Sequence, residues 1–371
     1  MPRILLISTS YPKDNNDWSG RFIKDMVDAL SRKTNINLHV WCPPGHFPEN
    51  VTYAATTNEA NWLSQLASQG GIAHLLRNNP LLAAPAILRL LYYLRQVYRR
   101  YKNADLVHIN WLQNVIPLNN PSQPTLVTVL GTDFSLLQKK IITRLITSTL
   151  SKRPCIVSPN AEWMSNELKQ KLGHNTKIHP VPFGIEKSWF NLKREIDSKQ
   201  PKKWLVVLRL TQKKIGHLFD WGKHITRQGD ELHLFGPMQE QLSIPEWVCY
   251  HGPTFPEALQ QDWYPYASGL ITLSQHDEGR PQVILEAMAA GLPVIASDQP
   301  AHADILDHKK TGYLINNEKD FSFALDALRD IDTNRTTGIA AQTKVKTHIG
   351  TWDDCADRYI ALYESLLNKK I

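Results

Sequence analysis

Two carboxylates, Glu278 and Glu286, stand in the segment HDEGRPQVILEAMAAGLPVIASD, residues 276–298. An apolar run ends near Ser274, an acidic, glycine-containing loop follows, and a helix is expected to open around Pro281. Proline suits a first helical turn because the N–H it lacks has no helical partner there. Gly291 then stops the helix and Pro293 begins the next strand. The leading N–H groups of Gln282 and Val283, together with the helix dipole, would make an anion site. Glu278 precedes that site. Glu286 lies about one turn inside the helix, where its carboxylate could accept two hydrogen bonds from a vicinal diol such as a ribose. The same spacing also fits a capping Glu and a solvated surface Glu.

A second cluster is LRLTQKKIG, residues 208–216, with Arg209 ending a strand and Lys214 in the following loop. Two cations at the carboxyl end of a strand can clamp a diphosphate and stabilise it as a leaving group. A solvated basic turn would look the same. Near the start, STSYPKDNNDWSGRF runs from a strand through a polar loop to Ser19 and Gly20 and into an amphipathic helix. Glycine there permits close backbone approach to a ligand, and Ser19 would equally serve as a helix cap. In TLVTVLGTDF, residues 125–134, Asp133 could orient a hydroxyl or, with Thr132, cap the next helix.

These residues need a scaffold that presents strand ends. Continuous apolar runs at Arg3–Ser8, Asn37–Trp41, Asp105–Asn110, Thr125–Leu130, Cys155–Ser158 and Ile178–Pro182 read as parallel strands buried on both faces. Helical periodicity fills gaps between them, as at Phe22–Ser31 and Ile87–Lys102. A polar stretch, EKSWFNLKREIDSKQPKK, then resembles a linker. The pattern restarts with strands Trp204–Leu208, Leu232–Phe235, Val248–His251, Leu270–Leu273, Pro293–Ala296 and Gly312–Ile315, and it closes on an amphipathic helix, Trp352–Leu367. The expected fold class is α/β, two Rossmann-like doubly wound domains facing a cleft. The expected boundaries are 1–184, a linker at 185–203, a second domain at 204–350, and the closing helix at 351–371.

Composition narrows the function classes. With 371 residues, 42% of them hydrophobic and 21% charged, the chain is neither collagen-like nor low-complexity. Cys42, Cys155, Cys249 and Cys355 are far apart, so a disulfide framework or a cysteine-rich zinc site is not expected, and a reducing cytoplasm is. The fourteen His show no metal-ligand spacing. The opening MPRILLISTSYP has too short an apolar run for a signal peptide and reads as a first strand. No run approaches the ~20 apolar residues of a membrane span.

The net charge of +7 is unevenly distributed: residues 1–183 hold 20 Lys/Arg against 10 Asp/Glu, whereas residues 184–371 hold 22 against 25. The basic half should face something anionic. Between Glu59 and Asp105 there are six basic residues and no acid. There, Ile87, Leu90, Leu91, Leu94, Val97, Tyr98 and Tyr101 form an apolar stripe beside Arg89, Arg95, Arg99, Arg100 and Lys102. That pattern fits docking on an anionic membrane, or a helix buried against its own sheet. Nucleic acid is not expected, because no helix-turn-helix or zinc-finger signature accompanies the charge.

The three clusters, in this order, resemble the retaining glycosyltransferases of family 4, which have the GT-B fold. The resemblance spans nearly the whole chain. Its most specific part is the Glu-x7-Glu motif from Glu278 to Glu286; Arg209 and Lys214 match the family's GRLxxxKG segment, with Leu208 in place of its glycine. PVPFGIEKSWF, residues 180–190, matches the interdomain segment, and Ser19-Gly20 the glycine loop. The closing helix resembles the crossover helix that packs back on the N-terminal domain. The resemblance implies a retaining, metal-independent enzyme with no cofactor, moving a sugar from a UDP- or GDP-linked donor to a saccharide or lipid-linked acceptor in surface polysaccharide biosynthesis. Glu286 would hold the ribose. Arg209, Lys214, Gln282 and Val283 would hold the diphosphate, Gly20 would line the donor site, and Glu278 with the backbone of Gly279 and Arg280 would meet the transferred sugar. Arg280 replaces the usual Phe or Leu. Leu130 stands where the family commonly has His, which leaves Asp133 as the acceptor-side candidate. A UDP-sugar epimerase and a non-catalytic sugar-nucleotide binder are the competing readings.

Overall fold

The computed structural model describes the chain except residues 15–16, 79, 132, 174–175, 196–200, 227–228, 277 and 369–371, and the side chains of 73, 77, 78 and 80. It divides into two units, residues 1–183 with 352–371, and residues 184–351.

The first unit is a seven-stranded parallel sheet in the order β3-β2-β1-β4-β5-β6-β7. Its strands are β1 (Arg3–Ile7), β2 (Asn37–Trp41), β3 (Thr52–Tyr53), β4 (Leu106–Asn110), β5 (Thr125–Val129), β6 (Cys155–Pro159) and β7 (Lys177–Ile178). Its helices are α1 (Arg21–Ser31), α2 (Thr57–Ser68), α3 (Gly71–Asn78), α4 (Pro80–Arg100), α5 (Lys140–Leu150) and α6 (Ser165–Leu172). The central strands bury every residue, as the unbroken apolar runs require. Strand β3 and helices α2 and α3 lie outside the elements read from the sequence, although Thr56 and Glu59 form a capping box at the start of α2. The expected strand over Ile178–Pro182 shrinks to two residues, because Pro180 and Pro182 cannot donate to a ladder.

One apolar cluster lies under α2–α6, and a second, on α1, includes residues of the closing helix Trp352–Leu367. That helix buries Trp352, Tyr359 and Tyr363 among Ile4, Leu6, Leu30 and Leu126. His108 on β4 ties it further, with Nδ1 at 2.7 Å from the Tyr363 hydroxyl and Nε2 at 2.8 Å from Thr128 Oγ1.

The second unit is a six-stranded parallel sheet ordered β10-β9-β8-β11-β12-β13. Its strands are β8 (Lys203–Val207), β9 (Glu231–Phe235), β10 (Val248–Gly252), β11 (Gly269–Thr272), β12 (Val294–Ser297) and β13 (Tyr313–Ile315). Its helices are α7 (Lys187–Phe190), α8 (Gln212–Ile215), α9 (Leu218–Trp221), α10 (Lys223–Thr226), α11 (Pro256–Ala258), α12 (Gln282–Ala289), α13 (Pro300–Ala303), α14 (Glu318–Arg329) and α15 (Ile331–His348); the closing helix is α16 (Trp352–Leu367).

The stretch 185–203, read as a linker, begins as part of this unit's body. Ile185 and Trp189 are buried in its core, and Arg194 donates to the carbonyls of Gly291 at 2.9 Å and Ala267 at 2.7 Å. Its polar letters misled because Arg194 satisfies backbone acceptors rather than water. Residues 196–200 of that stretch lie outside the described residues.

Candidate functional site

Strand order reverses between β8 and β11, and in open α/β sheets ligands bind outside the carboxyl ends of strands at such a switch. The loops leaving these two strands carry the two basic and acidic clusters. They are stitched together, with Gln275 N donating to Lys213 O at 2.8 Å. Gly216 has φ +55°, and a Cβ there would lie 2.0 Å from Leu273 O, so no other residue lets the loops approach this closely. Helix α8 is short and capped by Thr211, whose hydroxyl accepts from Lys214 N at 3.3 Å.

Between the loops is a cavity of about 200 Å³, lined by Val207, Leu208, Lys214, Thr272, Ser274, Glu278, Pro281, Gln282 and Val283. Lys214 Nζ pairs with Glu278 Oε1 at 2.9 Å inside it, both side chains largely withdrawn from solvent. Ser274 Oγ donates to the same carboxylate oxygen at 3.4 Å and accepts from His276 N at 3.2 Å. The Ser274 carbonyl in turn accepts from Ser297 Oγ at 2.7 Å and Gln299 Nε2 at 2.6 Å. His302, fully buried on α13, donates from Nδ1 to Ser297 O at 2.7 Å. Burial lowers its pKa, opposed by that carbonyl and by the charge of Glu278.

Helix α12 starts at Gln282, so Pro281 is its N-cap and not the first-turn residue that the sequence predicts. Proline offers no side-chain cap; Ile284 N donates to Pro281 O at 3.3 Å, and the N–H groups of Gln282 and Val283 are left to whatever occupies the cavity. The Gln282 side chain turns away, donating to Gly184 O at 2.7 Å, which leaves its backbone for the site. Lys214, Glu278, Gln282 and Val283 therefore share one cavity. Arg209 is exposed one residue beyond the lining Leu208, and Gly279 is buried in the loop. Glu286 lies one turn into α12, half-buried, and its charge adds to the effect of burial in raising the Tyr264 phenol. The Arg280 guanidinium does not point at the cavity's carboxylate; it pairs with Asp304 Oδ2 at 3.1 Å, in a nearly buried bridge that fastens the loop to the end of α13. Ser274, Ser297, Gln299 and His302 were not singled out in the sequence. Ordinary polar residues at strand ends carry no spacing signal of their own.

The candidates of the first unit make contacts within their own unit. Gly20, not Ser19, caps α1, at φ +74°, and a Cβ there would lie 2.4 Å from Ser10 Oγ and 2.9 Å from Tyr11 N. The backbone it lets approach is its own chain's. Asp133 is buried, its carboxylate accepting from Leu112 N at 2.9 Å and Leu130 N at 2.8 Å. Burial pushes its pKa up to about 6 against the pull of those N–H groups. It braces the loop, and it makes no side-chain cap. Thr132 lies outside the described residues. Leu130 is half-buried against the apolar cluster of α1.

Trp111, which the sequence did not flag, ends β4 at φ +68°, a conformation that a bulky L-residue rarely adopts. It sits beside β1 and β4, where this sheet's order also reverses.

Residues 201–330 match the family model described as glycosyl transferases group 1. The amylovoran biosynthesis glycosyltransferase AmsD of Erwinia amylovora is 32% identical over 142 residues, 36% of this chain and 40% of that protein. An uncharacterized glycosyltransferase of Haemophilus influenzae is 30% identical over 112 residues, 29% of this chain and 31% of that protein. The chain thus spans about a third of the length of these curated relatives. Among solved structures, sucrose-phosphate synthase from Thermosynechococcus elongatus superposes with a TM-score of 0.73 at 16% identity, covering 100% of both chains. Anabaena HepE in complex with UDP and glucose gives 0.66 at 13% identity, covering 98% of this chain and 100% of that one. The fold is the GT-B fold.

Proposed function

We propose that this chain is a glycosyltransferase that takes a sugar from a nucleotide-diphosphate donor held by the second unit, with retention of configuration as in family 4. The observation that carries the reading is the shared cavity at the β8/β11 switch, where a cation, a carboxylate and an uncapped helix start converge. The diphosphate would take Lys214 from Glu278 and lie against the start of α12, with Arg209 reaching in from the loop. Glu278, released, would accept hydroxyls of the transferred sugar, and Glu286 those of the ribose. As the sugar–phosphate bond breaks, negative charge grows on the leaving diphosphate, where Lys214, Arg209 and the helix start stabilise it without a metal ion. The acceptor's proton can pass to the leaving phosphate, so Leu130 in place of His does not forbid transfer.

That Anabaena HepE is solved with UDP and glucose, and that the amylovoran proteins build a polysaccharide, favour a UDP-sugar donor and a saccharide or lipid-linked acceptor in polysaccharide biosynthesis. The test is transfer by the purified protein from UDP- and GDP-sugars to a lipid-linked acceptor pool. Isomerised donor without transfer would favour the epimerase, and binding alone the non-catalytic reading.

We also propose that the first unit docks on an anionic membrane, by a different face than the sequence suggested. No described helix is long and apolar enough to cross a membrane. Leu90, Leu94, Val97 and Tyr98 of the expected stripe are buried in the core. Arg100 is held by Glu59 at 2.7 Å, and Arg89 lies over the Trp62 and Tyr93 rings. The outward face of α4 instead shows Leu81, Leu82, Leu88 and Tyr92, followed by Arg95 and Arg99. Co-sedimentation with anionic vesicles at low salt is expected, and loss of it in Leu88→Glu/Tyr92→Glu.

A further inference from the structure

On the same side of the first sheet, α5 and α6 leave between them an open groove of about 660 Å³, a size typical of ligand sites. Its lining holds three cations, Lys140, Arg144 and Lys171, and three hydroxyls, Thr143, Thr147 and Ser148, but no carboxylate. Residues 134–161, which supply most of it, contain Lys139, Lys140, Arg144, Lys152 and Arg153 and not one acid. Glu167 on α6, four residues before Lys171, is engaged by Gln138 Nε2 at 2.8 Å. Lys140, Arg144, Thr147 and Ser148 follow one stripe of α5. The adjoining stripe, Ile141 and Leu145, is apolar and exposed, Ile141 to 78%.

Three cations in one groove with no carboxylate among its described lining residues repel one another unless a multiply charged anion answers them. A phosphate offers several acceptor oxygens to a guanidinium fork, two ammonium groups and hydroxyls at once. We infer that the α5–α6 groove is a binding site for a phosphate or diphosphate group carried on a larger molecule, with Lys140, Arg144 and Lys171 as its ligands. That chemistry occurs both on a lipid headgroup, whose chains would cross Ile141 and Leu145, and on a free phosphorylated saccharide. The inference does not rest on the donor site, which lies in the other unit.

The experiment is amine labelling of the whole protein with peptide-level mass spectrometry, in three arms. The probes are millimolar inorganic pyrophosphate, vesicles of one part phosphatidylglycerol to two parts phosphatidylcholine, and phosphatidylcholine vesicles alone. Protection of Lys140 and Lys171 by pyrophosphate or by the anionic vesicles, several-fold beyond phosphatidylcholine, supports the site. Protection only by vesicles identifies a lipid source, and protection only by pyrophosphate a soluble one. The variant Lys140→Gln/Arg144→Gln/Lys171→Gln, followed by calorimetry with pyrophosphate and by co-sedimentation with the anionic vesicles, should bind about tenfold or more weakly, because each lost cation removes a contact to the anion. Its UDP binding and melting temperature should be unchanged, so failure here is separable from failure of the donor reading. Equal labelling of Lys140 and Lys171 in all three arms, or a triple variant that binds pyrophosphate and anionic vesicles as tightly as the natural chain, overturns the assignment.

Discussion

At the residue scale, the donor site is a contest between charges. Lys214 and Glu278 neutralise each other at 2.9 Å, and an arriving diphosphate must outcompete the carboxylate for the ammonium. Arg209→Ala and Lys214→Ala should each lower transfer by on the order of 10²-fold, the usual loss when one group stabilising a developing anion is removed. Near-native rates in both would end the leaving-group argument. Glu286→Gln should instead weaken UDP affinity with little effect on the rate at saturating donor. Titration calorimetry separates the two. Leu130→His is expected to change transfer little, because Leu130 packs against the α1 cluster and the leaving phosphate can take the proton. If only the His variant transfers sugar in the lipid-linked assay, the natural protein binds nucleotide without using it.

At the scale of elements, the first unit is tied together by specific polar contacts in its core. His108 is the clearest, buried in the first unit between β4, β5 and the closing helix and held by Tyr363 and Thr128. Burial pushes its pKa down to about 3. An unfolded histidine takes up its proton near pH 6.5, so between about pH 6.5 and pH 3 the unfolded chain binds a proton that the folded one refuses. Stability from this site is therefore whole above about pH 6.5 and falls by ~1.4 kcal/mol for each unit of acidification below it. His108→Gln keeps a hydrogen bond but cannot titrate. Melting curves from neutral to roughly pH 5 should show a shallower acid loss for the variant than for the natural chain. Parallel curves would place the acid sensitivity elsewhere.

For the whole molecule, the chain crosses between units twice, so the first unit is completed by the last residues. A chain ending at Thr351 lacks Trp352, Tyr359 and Tyr363, buried in the first unit's second core cluster. Removing one buried aromatic costs about 3–5 kcal/mol, and a domain holds only about 5–15 in total. The shortened chain should lose the first unit's protection from proteolysis while still binding UDP, because residues 184–351 have their own core. Loss of both would show that the second unit needs the first.

What the sequence determined alone is what local chemistry determines. Buried parallel strands must be continuous apolar runs, so all but β3 could be located from their residues, and the closing helix Trp352–Leu367 has the bounds its periodicity predicts. Glu278, Lys214, Gln282 and Val283 could be named as partners because strand-end loops and helix starts converge by topology. Which way a side chain turns is decided by tertiary packing. The Asp133 carboxylate is drawn in by backbone N–H groups, and the Arg280 side chain, whose backbone alone the resemblance assigns to the sugar, pairs with Asp304, because a buried charge must be answered wherever its partners are. The apolar stripe of α4 could not reveal from its own spacing whether sheet or lipid covers it. Only the assembled core shows that Leu90, Leu94 and Val97 are spent on the sheet and that Leu88 and Tyr92 are left outside. The α5–α6 groove likewise exists only once β5, β6 and β7 lie side by side, since its cations come from two successive helices that β6 holds apart in the chain.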